Sequence, residues 1–138
     1  MKEITTYDDQ NRPIELTWID DEDNPTVNQY GVGCMRSTYL EVSGVSRYES
    51  CYDLAGNPVE DELGVHTIRR IWNPINLIET ETYHDLAGNL LEILYGFCEV
   101  HYHMDSSMEL HSVYCFNRLG EMVEGSLIEM VNSNRRND

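Results

Sequence analysis

Cys51-Tyr52-Asp53-Leu54-Ala55-Gly56-Asn57 and, further along the chain, Tyr83-His84-Asp85-Leu86-Ala87-Gly88-Asn89 share the pentapeptide Asp-Leu-Ala-Gly-Asn. In the same register Asp20, Asp53, Asp85 and Asn117 fall into one column, with Asp23, Gly56, Gly88 and Gly120 three positions later. An Asp or Asn opening a turn can accept hydrogen bonds from the backbone that follows, and a residue three positions on can take the positive φ of a hairpin with a bulge. Asp-x-x-Gly therefore reads as a hairpin tip. At Asp23 the left-handed conformation falls to a short polar side chain that tolerates it.

A further column, Gly31, Gly64 and Gly96, is followed eight positions later by Tyr39, Trp72 and Met104. Between them one face of a strand emerges in each copy: Gly33, Met35, Ser37 and Tyr39; His66, Ile68, Arg70 and Trp72; Cys98, Val100, Tyr102 and Met104. Segments before the tips, such as Leu16–Ile19 and Val113–Phe116, are rich in aromatic and β-branched residues and read as partner strands. Further turn signals stand at Asp9–Arg12, Ser43-Gly44, Asn73–Asn76 and Asp105–Ser107. No stretch sustains helical spacing. The expectation is an all-β chain of antiparallel hairpin repeats, four units of about 32–33 residues, forming a curled sheet or barrel-like domain. It would occupy residues 1–131 and leave 132–138 as a polar tail.

At these residues the chain resembles the tyrosine-aspartate (YD) repeats of bacterial Rhs-like proteins, whose unit runs Tyr-Asp-x-x-Gly followed by Asn or Arg. Tyr52–Asn57 matches throughout, Tyr83–Asn89 with one inserted His, and Phe116–Glu121 loosely. The resemblance implies a bacterial origin and β-hairpins. It covers three copies, and the 138-residue chain is too short for the toxin-enclosing shell of that family.

Twenty-five Asp and Glu against nine Lys and Arg give a formal charge of −16. Such a field repels nucleic-acid phosphates and anionic lipid headgroups and attracts basic proteins, so neither nucleic acid nor membrane is expected as a partner. The N-terminal residues contain no apolar stretch of signal-peptide or spanning length, and a cytoplasmic location is expected.

Cys34, Cys51, Cys98 and Cys115 form no CxxC pair and read as buried thiols, although Cys34 with Cys51, and Cys98 with Cys115 at the same spacing, could each face across a hairpin. Glu99, His101 and His103 alternate on one strand, so His101 and His103 are the candidate metal ligands; no third ligand is evident and no metal or other cofactor is expected. No catalytic motif is present.

Candidates for contact with a ligand or partner are the aromatic column Tyr39 and Trp72 with Tyr102, and the acidic tip Asp20, Asp21, Glu22 and Asp23. They support two functional readings: a non-enzymatic module whose acidic surface binds a basic protein, or a small-molecule or carbohydrate-binding β-domain with an aromatic pocket. Tyr114–Phe116 and Leu127–Val131 read as an apolar strand pair at the end of the array. Exposed edges template association, so a homodimer or closure of the sheet is expected to cover it.

Overall fold

The computed structural model describes residues 1–40, 46–93 and 96–123. The strands are β1 (Lys2–Tyr7), β2 (Pro13–Ile19), β3 (Pro25–Thr26), β4 (Cys34–Leu40), β5 (Ser46–Tyr52), β6 (Thr67–Asn73), β7 (Ile78–His84), β8 (Glu99–Met104), β9 (Leu110–Phe116) and β10 (Met122–Val123). All pair antiparallel in a single sheet of order β1-β2-β4-β5-β6-β7-β8-β9-β10, with β3 paired to β2. No α-helix occurs among the described residues, and no helix is long and apolar enough to cross a membrane.

Barrel closure is not found. Among the described residues β1 and β10 stand at opposite ends of the path and do not pair, so the sheet is open. Part of the expected apolar edge is already covered, because Met122 and Val123 of β10 pair with Phe116 and Cys115 of β9. Residues 127–131 and the expected tail at 132–138 lie outside the described residues.

Two kinds of turn alternate along the sheet. Those at one end join long neighbouring strands: Asp8–Arg12 between β1 and β2, Asn73–Leu77 between β6 and β7, Asp105–Glu109 between β8 and β9. The Ser43-Gly44 signal between β4 and β5 lies outside the described residues. At the other end turns come in pairs, Asp20–Asn24 with Asn28–Val32, Asp53–Asn57 with Asp61–Val65, and Asp85–Asn89 with Ile93–Phe97. Asp53 to Gly56 and Asp85 to Gly88 are thus hairpin tips of a particular sort. Each joins a long strand to a short extended piece held by one bridge, Tyr52 to Pro58 or His84 to Leu90.

The turn chemistry repeats atom for atom. The Asp53 carboxylate accepts the amides of Ala55 and Asn57 at 2.9 and 2.8 Å, and Gly56 turns at φ +88°. Asp20, Asp61 and Asp105 do the same for their own turns. Asn28 and Asn117 fill the role with an amide oxygen. Asp23 takes φ 62° in place of glycine.

The short pieces between paired turns fold back over one side of the sheet, and the core lies beneath them. Val32, Val65 and Phe97 come from these segments; Trp18, Cys51, Tyr83 and Cys115 rise from the strands to meet them. Successive members of both columns are 32 or 33 residues apart. Burying such side chains stabilises the sheet by roughly 1.5–3 kcal/mol each, which lets a sheet with a short second layer hold together. This side is called the core face, the other the groove face.

The cysteine pairs do not face each other. Met35, not Cys34, stands opposite Cys51, and Val100, not Cys98, stands opposite Cys115. The one-residue offset puts Cys34 and Cys51 on opposite faces, because side chains alternate along a strand. All four thiols are free and buried. Burial raises their pKa values, that of Cys51 to about 12 and that of Cys115 to about 11, and keeps them as protonated hydrophobes.

Candidate functional site: a repeated groove and an acidic end

Strand register assigns every candidate to a face. Tyr39, Trp72 and Tyr102 belong to the core face with Met35, Ile68 and Val100. Tyr102 is buried in the main core cluster, so its ring is packing rather than a contact surface. Tyr39 and Trp72 are half-buried. The Tyr39 hydroxyl donates to the Pro13 carbonyl at 2.7 Å, and the Arg12 guanidinium lies 4.4 Å from its ring centre.

The core face also carries a charged network that the alternation hinted at only through Arg70. Arg70 Nε donates to Glu81 at 2.8 Å, its Nη1 reaches Glu49, and Arg47 joins Glu49 at 2.9 Å. Glu81 is 5% exposed and accepts the hydroxyls of Tyr83 and of Tyr102, the latter at 3.1 Å. Burial opposes the charge on Arg70, but Glu81 and then Glu49 outweigh it and hold the guanidinium protonated. Burial, with the Glu81 charge next, pushes the Tyr83 phenol up.

Two depressions indent the groove face. One, of about 370 Å³, is lined by Tyr48, Ser50, His66, Thr67, Arg69, His84, Asp85, Leu86 and Gly88. The other, of about 270 Å³, is lined by Glu15, Thr17, Gly33, Cys34, Arg36, Asp53, Leu54 and Gly56 together with Trp18, Ile19 and Pro25. Eight positions correspond at a spacing of 32 or 33 residues: Tyr48 to Glu15, Ser50 to Thr17, His66 to Gly33, Thr67 to Cys34, Arg69 to Arg36, Asp85 to Asp53, Leu86 to Leu54 and Gly88 to Gly56. In each case an Asp-x-x-Gly turn borders two earlier strands: the turn after β5 meets β2 and β4, and the turn after β7 meets β5 and β6. The approach is so close at Gly33 that a Cβ would lie 2.8 Å from the Leu54 nitrogen. In the larger groove the turn is pinned from outside, because the Leu86 amide donates to Glu60 at 3.0 Å.

The polar groups of the larger groove have fixed roles. His66 Nδ1 meets the Val59 carbonyl at 2.9 Å; a carbonyl only accepts, so Nδ1 carries the proton and Nε2 is the ring's acceptor. Ser50 and Thr67 hydroxyls pair at 3.0 Å, and Thr82 meets His84 Nε2 at 2.9 Å. Arg69 stands 5.9 Å from the Tyr48 ring centre.

His101 occupies the next position in the Arg36 and Arg69 column. It bonds Glu99 at 2.6 Å and lies against Phe116, ring centres 4.6 Å apart. His103 packs against Tyr114 at 4.9 Å; burial lowers its pKa, with the charges of His101 and His111 adding to the effect. Glu99, His101 and His103 share the groove face as their alternation requires, yet no group of three His, Cys, Asp or Glu side chains able to hold a metal ion occurs among the described residues.

Asp20, Asp21, Glu22 and Asp23 form an exposed turn at the paired-turn end of the sheet. Asp53, Glu60, Asp61, Glu62, Asp85, Glu92 and Glu121 share that end, whereas among the described residues the basic side chains there are Lys2 and Arg118, and Arg118 is taken by Glu92 and the Leu90 carbonyl. Backbone donation from Asn57 and Asn89, the largest cause in each case, holds Asp53 and Asp85 below the usual carboxylate range. Comparison with family models, with curated proteins and with solved structures finds no match for this chain.

Proposed function

We propose that this protein is a non-enzymatic interaction module that binds a basic protein through the acidic end of its sheet, with Asp20, Asp21, Glu22 and Asp23 among the contacts. One observation carries the reading: the chain spends most of its arginines internally. Arg12 is held by Asp8, Arg36 by Glu15, Arg47 and Arg70 by Glu49 and Glu81, and Arg118 by Glu92. The paired-turn end is left with a dense array of carboxylates on a rigid edge. A single-sign surface of this kind steers an oppositely charged partner and speeds encounter, with a strong dependence on salt.

The same reading takes the chain as four tandem copies of about 32–33 residues. The turns at Asp20, Asp53, Asp85 and Asn117 support the count, and tandem copies align like charges along one edge. Pairing of two chains through an uncovered sheet edge belongs to this reading as well.

The test is capture of partners by the wild-type chain and by a variant carrying Asp21→Asn, Glu22→Gln and Glu62→Gln, exposed carboxylates with no hydrogen bond to a turn. Basic proteins retained at low salt by the wild type, and lost both at high salt and in the variant, support the assignment. Retention indifferent to salt and to the three substitutions refutes it.

A further inference from the structure

We propose that the groove formed by β5, β6 and the Asp85–Gly88 turn is a binding site for a sugar acid, whose carboxylate takes on Arg69 the place that Glu15 takes on Arg36. The two grooves are built from the same positions of the chain, so their differences carry information. In the smaller one the arginine is satisfied from within: Glu15 lies 3.6 Å from Arg36, and the Arg36 guanidinium stacks 4.4 Å from the Tyr52 ring. In the larger one Tyr48 stands where Glu15 stood. Arg69 keeps only a ring at 5.9 Å, and among the described residues no carboxylate lies within ion-pair distance of it.

Three further exchanges favour a hydroxylated ligand over a simple anion. His66 replaces Gly33 and brings an acceptor nitrogen, Thr67 replaces Cys34, and the paired Ser50 and Thr67 hydroxyls offer both donors and acceptors. Leu86 supplies an apolar wall, and the Tyr48 ring a flat one, for the C–H side of a pyranose. The volume, about 370 Å³, lies in the range of small-molecule sites. Arginine is suited to the task because its fork matches a carboxylate in two parallel hydrogen bonds.

The groove borders the acidic end through its Asp85–Gly88 turn, but Ser50, Thr67 and Arg69 are not among the contacts proposed for a basic partner, so it stands or falls separately from partner binding. The test is titration of the ¹⁵N-labelled chain with D-glucuronate and D-galacturonate, with D-glucose and acetate as controls. Expected are amide shifts centred on Ser50, Thr67, Arg69 and Leu86, with one of the uronates binding at least tenfold more tightly than glucose or acetate. Arg69→Gln should weaken that uronate about tenfold or more, the loss of one charge-assisted pair. Tyr48→Glu, which rebuilds the internal carboxylate of the smaller groove, should do the same, with circular dichroism confirming that both variants retain the sheet. Glucose or acetate binding as tightly as both uronates, shifts centred elsewhere in the wild type, or no saturable binding of either uronate would overturn the assignment.

Discussion

Replacing Arg70 with methionine should destabilise the protein far more than removal of an exposed ion pair. The Arg70 side chain is 19% exposed, that of Glu81 7%, and two tyrosine hydroxyls complete the coordination of the Glu81 carboxylate. An exposed pair contributes about 0–1 kcal/mol. Breaking a buried one leaves a charge in a poorly solvated place, at a cost of about 3–5 kcal/mol. Arg70→Met should therefore lose about that much in urea denaturation. Adding Glu81→Gln, which retains an acceptor for Tyr83 and Tyr102 but no charge, should recover most of it. A loss below about 1 kcal/mol for Arg70→Met, or a double variant no more stable than the single one, refutes a buried carboxylate that depends on Arg70.

Acid should weaken the turns, because Asp8, Asp53 and Asp85 have folded pKa values below the unfolded ones: their contribution is present above the unfolded value and is lost as pH falls through the folded one. Asp53→Asn with Asp85→Asn, which copies the oxygen that Asn28 and Asn117 already use, should move the midpoint of acid unfolding to lower pH, read by circular dichroism. Gly56→Ala and Gly88→Ala place a side chain at φ +88° and +89° with open space around it, and each should cost about 1–2 kcal/mol by thermal denaturation from backbone strain alone. Gly33→Ala has no positive φ and should nevertheless perturb the sheet, because its Cβ meets Leu54 and Asp53 backbone at 2.8 and 2.9 Å; amide shifts spreading through the 53–56 turn would reveal it. Val113→Ala, at a fully buried position of the larger core cluster, should cost about 1–3 kcal/mol in urea.

The turns and the strand alternation were legible because both are local. A carboxylate that bonds the amides two and four positions on needs no tertiary partner, so the Asp53 and Asp85 turns could be read from a single pentapeptide, and even Asp23 could be assigned φ above zero. The core-face alternation of Met35 to Tyr39 and of Val100 to Met104 follows from pleat alone. Which turn closes which pair of strands was not legible. Asp-x-x-Gly marks a hairpin without saying whether its second arm is a long strand or a short extended piece, and here the long hairpins close at the weaker signals near Asn73 and Asp105. The cysteine pairs failed for a related reason. Their equal spacing fixes separation along the chain, whereas the register, which depends on the turn between, decides whether Cys34 meets Cys51 or its neighbour.

The candidate groove was hidden by the same one-residue logic, since Tyr48, Arg69 and Thr67 belong to the alternate set of residues that the apolar pattern set aside. Corresponding positions 32 or 33 residues apart nevertheless offer a way to find such a site. Positions that must keep the fold are held to one chemistry, as Trp18, Cys51, Tyr83 and Cys115 are all large or soft apolar side chains in one core column. Positions facing the groove are free of that demand, and there Glu15 gives way to Tyr48, Gly33 to His66 and Cys34 to Thr67 while Arg36 and Arg69 stay cationic. Arg69 is exposed and keeps its charge in water, but it shares its depression with the Tyr48 ring 5.9 Å away, with two paired hydroxyls, with an imidazole acceptor and with a turn held by Glu60. A carboxylate entering there has to order the Arg69 side chain, whereas the hydroxyls, the imidazole and the turn are already held by their own hydrogen bonds, so the preorganised part of the groove, rather than net charge, decides where an acidic protein can hold an acid.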